Sequence, residues 1–234
     1  MTLGRGPRDP DGMEHPTRPR DPFLARAFAW VSGVVGLLAG AFLLGFFALE
    51  SSGVRLAGFS LGHVNDILGA VQFAAFVPVA WALGRRLPAT RTVRVATVLA
   101  VSAAVAYVVL SVLLITGTWD FTQQIGPLMV TIVAIYGSLL AVNLVAHRTR
   151  TLPRAVSRTG VLIAVALLTG LVLVGAGYVL PGVVGQPVTW LGYGLGVVGW
   201  LGLPLYVLLL AIKVFPHSRS SAVSADVPLQ KVRS

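Results

Sequence analysis

Three of the eight acidic residues lie beside or within long apolar segments, and they are the first candidates for chemistry in this chain. They are Glu50, Asp66 and Asp120. A carboxylate at membrane depth must be paired, hydrated or protonated, so it is a functional candidate by default. Neighbouring polar residues extend the candidate binding site around Asp66; they are His63, Asn65, Gln72, Gln124, Arg55, Gln123 and Trp119.

The spacing of these polar residues predicts how they are arranged. Asn65 and Gln72 are seven residues apart, which places them on one face of a helix. Gln124, Thr131 and Ser138 repeat at the same spacing further along. Since polar groups at membrane depth usually face the interior of a bundle, we expect the helices carrying them to line a shallow cavity open to the outside. Asp66 is its key polar group and Asp120 lies at its mouth.

A structural interpretation of the same residues also stays open. Asp120 followed by Gln123 has the spacing of a capping box, which closes a helix start without any further function. Ser60 is placed to cap the second span in a similar way. Asp66 has Arg55 and His63 as candidate ionic partners near the lipid headgroups.

Familiar catalytic and metal-binding patterns are missing from the sequence. There is no cysteine, which excludes disulfides and thiolate-bound metals. There is no H-E-x-x-H, no G-x-S-x-G, no P-loop and no G-x-G-x-x-G before a helix. His63 and His147 fall at opposite ends of their apolar segments, which argues against a haem held between one helix pair. We therefore expect no catalytic residue, no metal site and no cofactor, and a non-enzymatic protein, with an intramembrane enzyme left open as a third alternative.

The elements that must position these residues are apolar helices. The chain is 56% hydrophobic and 11% charged, with a mean hydropathy of +0.83, whereas soluble domains are about 25% charged. An apolar stretch of about 20 residues crosses the hydrocarbon layer as a helix. The predicted fold class is all-α, a polytopic bundle of six transmembrane helices, with spans at about 27–49, 64–84, 95–117, 125–146, 159–180 and 189–212.

The distribution of Lys and Arg predicts the orientation. All but one of the 18 basic residues fall in the two tails and in the second-to-third and fourth-to-fifth connections, and the exception is Arg55. Short segments rich in Lys and Arg stay in the cytoplasm, so both termini are predicted to be cytoplasmic. The net charge of +10 is therefore a topology signal, and we expect the lipid bilayer, not nucleic acid, as the partner.

The sequence predicts a single folded domain between two tails. Residues 23–215 form the predicted transmembrane domain. Residues 1–22 and 216–234 are short, polar and without apolar periodicity, and we expect both to be disordered cytoplasmic tails.

Small residues indicate where the helices approach each other, because lipid provides no hydrophobic force between them. The predicted packing glycines are Gly36 and Gly40 in the first span and Gly192, Gly196 and Gly199 in the sixth. The third span carries a stripe of small and polar residues, consisting of Ala96, Ala100, Ala103, Tyr107 and Ser111. Packing within one bundle is the simpler interpretation, and a homo-oligomer or a partner membrane protein is the alternative.

Three segments resemble a known family. They are LPRAVSRTGVLIA (Leu152 to Ala164), NDILGAVQFAAFVPVAWALGRRLP in the second span, and GLPLYVLLLAIKVF near the end. In layout they are similar to a bacterial family of six-helix membrane proteins known as domain of unknown function 4386. The resemblance implies a six-helix fold and a bacterial plasma membrane, and it implies no catalytic residues.

Two functions follow from these observations as hypotheses. The first is a module that binds or helps to transport a small solute, a lipid or an ion through an outward-facing polar cavity. The second is a structural or regulatory subunit of a membrane complex, recognised through its glycine faces and its basic cytoplasmic rim.

Overall fold

Six long helices make up the part of the chain that the structure describes. A computed structural model describes residues 22–51 and 61–215. The helices are α1 (Pro22–Ser51), α2 (Leu61–Arg86), α3 (Arg91–Ile115), α4 (Phe121–Thr149), α5 (Arg154–Val179) and α6 (Gly182–Lys213). No strand occurs within these ranges, so the predicted all-α class with six helices is confirmed. Both tails and the segment with Arg55 and Ser60 lie outside the described residues.

Each helix is long and apolar enough to span a membrane. The helices contain 25 to 32 residues, which at 1.5 Å per residue makes them about 37 to 48 Å long. Large apolar side chains are exposed around the bundle, among them Val130, Leu162 and Val172, each about 70% exposed. Such a surface would be unstable in water, and a lipid environment accounts for it.

Every helix begins earlier than its predicted span, and two helices, α3 and α5, also end earlier than predicted. The third was expected to reach Gly117, and α3 ends at Ile115. Gly117 itself has a φ of +70°, a left-handed conformation that a helix cannot continue through. The fifth was expected to reach Leu180, whose backbone is extended, and α5 ends at Val179.

The six helices form a closed ring. Each helix packs against the next one in the chain, and α6 returns to pack against α1. Gly36 of α1 lies opposite Gln72 of α2, and Gly45 lies opposite Leu61, so this pair is antiparallel. The connections between the other neighbours contain only a few residues, which makes those pairs antiparallel as well.

The antiparallel ring gathers positive charge at one end. The starts of α1, α3 and α5 and the ends of α2, α4 and α6 meet there. Every Lys and Arg of the described residues belongs to this end, which we call the basic end: Arg26, Arg85, Arg86, Arg91, Arg94, Arg148, Arg150, Arg154, Arg158 and Lys213. Asp66 and Asp120 belong to the other end, which we call the acidic end.

Helices α5 and α6 approach each other through glycines spaced seven residues apart. Gly170 and Gly177 of α5 face Gly192 and Gly185 of α6, where an added Cβ would stand 2.4 to 2.8 Å from backbone atoms of the partner helix. Side chains at these positions would therefore force the two backbones apart. The loop between the helices contains only Leu180 and Pro181, which the close approach permits.

Glycines of α1 serve a similar purpose on the other side of the ring. A Cβ on Gly36 would meet Gln72 of α2 and Pro204 of α6, and one on Gly40 would meet Leu201 of α6. These two glycines allow α1 to fit into the groove between its neighbours.

Candidate functional site

Asp66 lies in the second turn of α2, at the acidic end of the bundle. Its side chain is half-buried, and its Oδ1 accepts a hydrogen bond of 3.5 Å from the Nδ2 of Asn65. The position follows from the sequence, because the helix begins at Leu61 and runs into the apolar part of the span within two turns. The contact with Asn65 is long, so Asp66 keeps most of its capacity to accept hydrogen bonds.

Tyr107 of α3 places a buried hydroxyl against α2, beside Gly69 and so one helical turn from Asp66. Its hydroxyl interacts electrostatically with Asp66 and lies beside Gly69, where an added Cβ would stand 3.1 Å away. Its ring packs on Phe73 with centroids 4.1 Å apart. Gly69 and Phe73 follow Asp66 at helical spacing on one face of α2, so this face receives the tyrosine. The Tyr107 hydroxyl forms no hydrogen bond with another described residue.

His63 and Asn65 complete the group around Asp66. His63 is exposed and interacts electrostatically with the carboxylate. Asn65 is half-buried, and because its amide nitrogen is directed to Asp66, its amide oxygen remains available as an acceptor. Arg55, the other expected partner of Asp66, lies outside the described residues, and so does the side chain of Glu50.

Gln72 is separated from this group. It is buried, and its amide lies against Gly36 of α1 and near Pro204 of α6. It shares a face of α2 with Asn65 as predicted from the spacing, but Asp66 and Phe73 lie about 100° further round the helix and face α3. The Gln72 side chain therefore points from α2 towards α1 and α6, and not towards Asp66.

The two predicted site residues at the start of α4 both form hydrogen bonds that stabilise the fold. Gln124 is buried, and its Nε2 donates a hydrogen bond of 3.2 Å to the carbonyl of Leu110 on α3. Asp120 is exposed and caps α4: its Oδ1 accepts from the amide of Gln123 at 2.8 Å, and the Gln123 side chain accepts from the amide of Asp120 at 3.1 Å. The capping box expected from the sequence is present.

A cavity lies in the half of the bundle nearer the basic end. It is lined by residues of α2, α3, α4 and α6, including Phe76, Thr97, Ser138 and Tyr206. Of the polar repeat Gln124, Thr131 and Ser138, only the last lines this cavity. The Asp66 group does not line it, so the predicted outward-open cavity stays a prediction.

Buried tyrosines tie α6 to α4 across the ring. The Tyr206 hydroxyl donates to Oδ1 of Asn143 at 3.0 Å, and the Asn143 Nδ2 donates to the carbonyl of Leu139 at 2.9 Å. The Tyr136 hydroxyl donates to the carbonyl of Gly199 at 3.1 Å. These residues were not identified from the sequence. An amide such as Asn143 within an apolar segment was the available signal, since polar groups there face the interior.

The glycines of α6 differ in how much space a side chain would have at each position. A Cβ on Gly199 would stand 2.5 to 2.7 Å from Leu167 of α5, and one on Gly192 would meet Val174. A Cβ on Gly196 would meet nothing within 4 Å, so a side chain there would not press on a neighbouring helix, in contrast to Gly192 and Gly199. The backbone of Gly196 does lie against Gly170, but its own missing side chain points elsewhere.

The described residues hold no group of three or more His, Asp or Glu side chains that could bind a metal ion. At the acidic end this leaves one half-buried carboxylate with an amide, a phenol and an imidazole around it. Such a set can hold a proton or a weakly bound cation, and it lacks the ligands of a transition-metal site.

The fold and its apolar surface define the class as a multi-pass helical membrane protein. Comparisons with protein-family models, with curated proteins and with solved structures found nothing that matches the chain.

Proposed function

We propose that the protein is a six-span protein of a bacterial plasma membrane with both termini in the cytoplasm. The support for the orientation is the position of the ten described Lys and Arg residues, all at the basic end. The bacterial origin and the relation to domain of unknown function 4386 rest on the sequence resemblance.

We propose further that the acidic end binds a small cation or a proton at Asp66. The observation that carries this proposal is the half-buried Asp66 carboxylate, which has one long hydrogen bond, to Asn65, among the described residues. A carboxylate in this position gains a large stabilisation from any positive partner, because water and headgroups only partly solvate it.

The surrounding groups suit a monovalent ion or a proton. The Asn65 amide oxygen is a neutral ligand beside the carboxylate, the Tyr107 hydroxyl lies one turn away beside Gly69, and one carboxylate balances one positive charge. A divalent ion bound by protein usually has more than one carboxylate ligand, and the described residues hold no group of three or more His, Asp or Glu side chains around Asp66.

The experiment is a thermal-shift titration of the purified protein with Na⁺, K⁺, Ca²⁺ and H⁺. A ligand that binds only the folded state raises the melting temperature with concentration. We expect the wild type to respond to Na⁺, K⁺ or H⁺ and not to Ca²⁺, and Asp66→Asn, which keeps the shape and removes the charge, to lose the response.

Asp120→Asn is the matched control, because it removes the same charge at the same end of the bundle. Asn caps a helix about as well as Asp, so both the fold and the titration should stay unchanged. Identical titration curves for the wild type and Asp66→Asn would overturn the proposal and leave Asp66 with a structural role.

The alternative role, a subunit of a larger membrane complex, assumed that a partner protein recognises the glycine faces of the helices. Gly36, Gly40, Gly192 and Gly199 are all buried inside the bundle, so these four are not available to a partner. The basic rim remains as the basis of that alternative.

A further inference from the structure

The outward side of α2 carries a stripe of exposed side chains that ends in an arginine. Ile67, Val71, Ala74, Trp81 and Arg85 are all exposed, and they recur at spacings of three, four and seven residues. This spacing places them on one side of the helix, whereas the residues between them are mostly buried in the bundle. The stripe is therefore the side of α2 that faces lipid.

Helix α3 carries a matching stripe that begins with two arginines. Arg91 and Arg94 lie in its first turn, and Val95 and Val98 follow them at helical spacing. All four are exposed, and each of the two valines is 57% exposed. Because α2 and α3 are neighbours in the ring, the two stripes lie side by side on its outer surface.

The register of α2 and α3 brings the arginines to one level. Gly84 lies against the side chain of Thr97, which sets the end of α2 beside the start of α3. The connection between the two helices contains only residues 87–90. Three arginines therefore cluster at the basic end of the paired stripes, and we call them the arginine patch: Arg85, Arg91 and Arg94.

The arginine patch has no counter-charge within the described residues. None of its three side chains forms a hydrogen bond or an ion pair there, and Asp66 and Asp120 both belong to the acidic end. Arg86 differs, because it donates to the carbonyl of Val214 and stacks on an aromatic ring of the same chain. The charges of the patch are thus available to an anion from outside the bundle.

Helix stability does not account for the two arginines of α3. A positive charge in the first turn of a helix opposes the helix dipole, and Arg91 and Arg94 both lie there. A bound anion would offset that repulsion. Guanidinium groups suit a phosphate in particular, since their planar fork donates two hydrogen bonds to its oxygens.

Trp81 indicates that the anion belongs to a lipid. Its indole is 51% exposed and precedes Arg85 by one turn, about 6 Å along the axis towards the middle of the span. Tryptophan at a membrane surface lies at the boundary between headgroups and acyl chains. A free phosphate would use only the arginines, whereas a phospholipid also covers Trp81 and the apolar stripes beyond it.

We propose that the arginine patch binds the headgroup of an anionic phospholipid, with Trp81 at the level of its glycerol and its acyl chains along the exposed stripes of α2 and α3. Basic sites between membrane helices recognise anionic headgroups by the same chemistry. The site lies at the opposite end of the bundle from Asp66 and does not rest on the cation or proton binding proposed there.

The test is native mass spectrometry of the full-length protein in detergent with equal amounts of phosphatidylglycerol and phosphatidylcholine that carry the same acyl chains. We expect the wild type to retain one phosphatidylglycerol in preference to phosphatidylcholine. Each single Arg→Gln change in the patch should reduce this preference about fivefold, which corresponds to about 1 kcal/mol per charge, and the triple variant should show none. Trp81→Leu should lower the retention of both lipids and keep the preference.

The control is a triple Gln variant of Arg148, Arg154 and Arg158, which removes the same charge from the same end of the bundle. The exposed side chains one turn inward from these arginines are Leu144 and Leu162, not tryptophan. We expect this variant to keep the preference of the wild type. Thermal unfolding without added lipid checks that both triple variants are folded.

Three results would overturn the proposal. Equal losses in the two triple variants would show that the lipid responds only to the total charge of the basic end. Displacement of phosphatidylglycerol by inorganic phosphate would show that the patch recognises the free anion. A wild type without any preference would exclude an anionic lipid and leave the patch to an acidic protein partner.

Discussion

The hydroxyl of Tyr206 on α6 donates a hydrogen bond of 3.0 Å to the Oδ1 of Asn143 on α4, and both side chains are completely buried. Gly160 of α5 makes room for this pair, because a Cβ there would stand 2.4 Å from the Asn143 amide. Three helices thus meet around one amide group in the interior of the bundle. The contact joins helices that are not neighbours in the ring.

Tyr206→Phe should lower the stability of the protein modestly. The change removes one hydrogen bond and leaves the Asn143 Oδ1 unpaired in an apolar interior. Hydrogen bonds between membrane helices are worth about 0.6 kcal/mol on average and up to about 1.7 kcal/mol. Thermal unfolding in detergent measures the difference. Tyr193→Phe is the control, because its hydroxyl pairs with Tyr178 on the exposed surface at 2.8 Å and should contribute little. Equal losses in both variants would contradict the importance of the buried pair.

Gly199→Ala should destabilise the α5–α6 contact, whereas Gly196→Ala should not. A Cβ on Gly199 would overlap the Leu167 backbone, with 2.6 Å to its nitrogen, and overpacking of this kind costs about 1–3 kcal/mol. A Cβ on Gly196 enters open space, and replacing a helical Gly by Ala contributes up to about 1 kcal/mol in favour of the helix. Melting temperatures of the two variants should move in different directions, and a larger loss in Gly196→Ala would refute the described packing.

Arg86→Ala should loosen the end of α6 more than Arg85→Ala. The Arg86 Nη1 donates to the carbonyl of Val214, directly after the helix, and its guanidinium lies 4.8 Å from the centre of the Phe215 ring. A cation at a helix C-terminus satisfies free carbonyls, and stacking on an aromatic ring adds to this, for about 1 kcal/mol together. Hydrogen exchange of the last amides of α6 is the measurement. Both variants lose one positive charge, so the comparison separates the cap from the general charge of the basic end.

Reporter fusions should place the connections of the bundle on alternate sides. A fluorescent reporter joined after Arg150, between α4 and α5, should fold in the cytoplasm, because that segment carries the positive charge. Alkaline phosphatase joined after Gly117, between α3 and α4, should be active outside. Phosphatase activity at Arg150 would require a different number of spans or the opposite orientation.

The amino-acid sequence alone determined the six helices, their approximate ends and the gathering of positive charge at one end. These features follow from local composition, since a membrane span must be about 20 apolar residues long and its backbone must bond within itself. The capping box of Asp120 was predictable for the same reason, because both of its partners lie within one helical turn.

The tertiary structure decided which face of each helix meets which neighbour. Tyr206 and Asn143 are 63 residues apart, so no local pattern connects them. The sequence also does not distinguish between three closely spaced glycines of α6, Gly192, Gly196 and Gly199. Helical periodicity placed these residues on faces, but the rotation of each helix about its own axis is set by the packing of all its neighbours. That rotation directs Asp66 towards Tyr107, turns Gln72 towards α1, and leaves the missing side chain of Gly196 in open space.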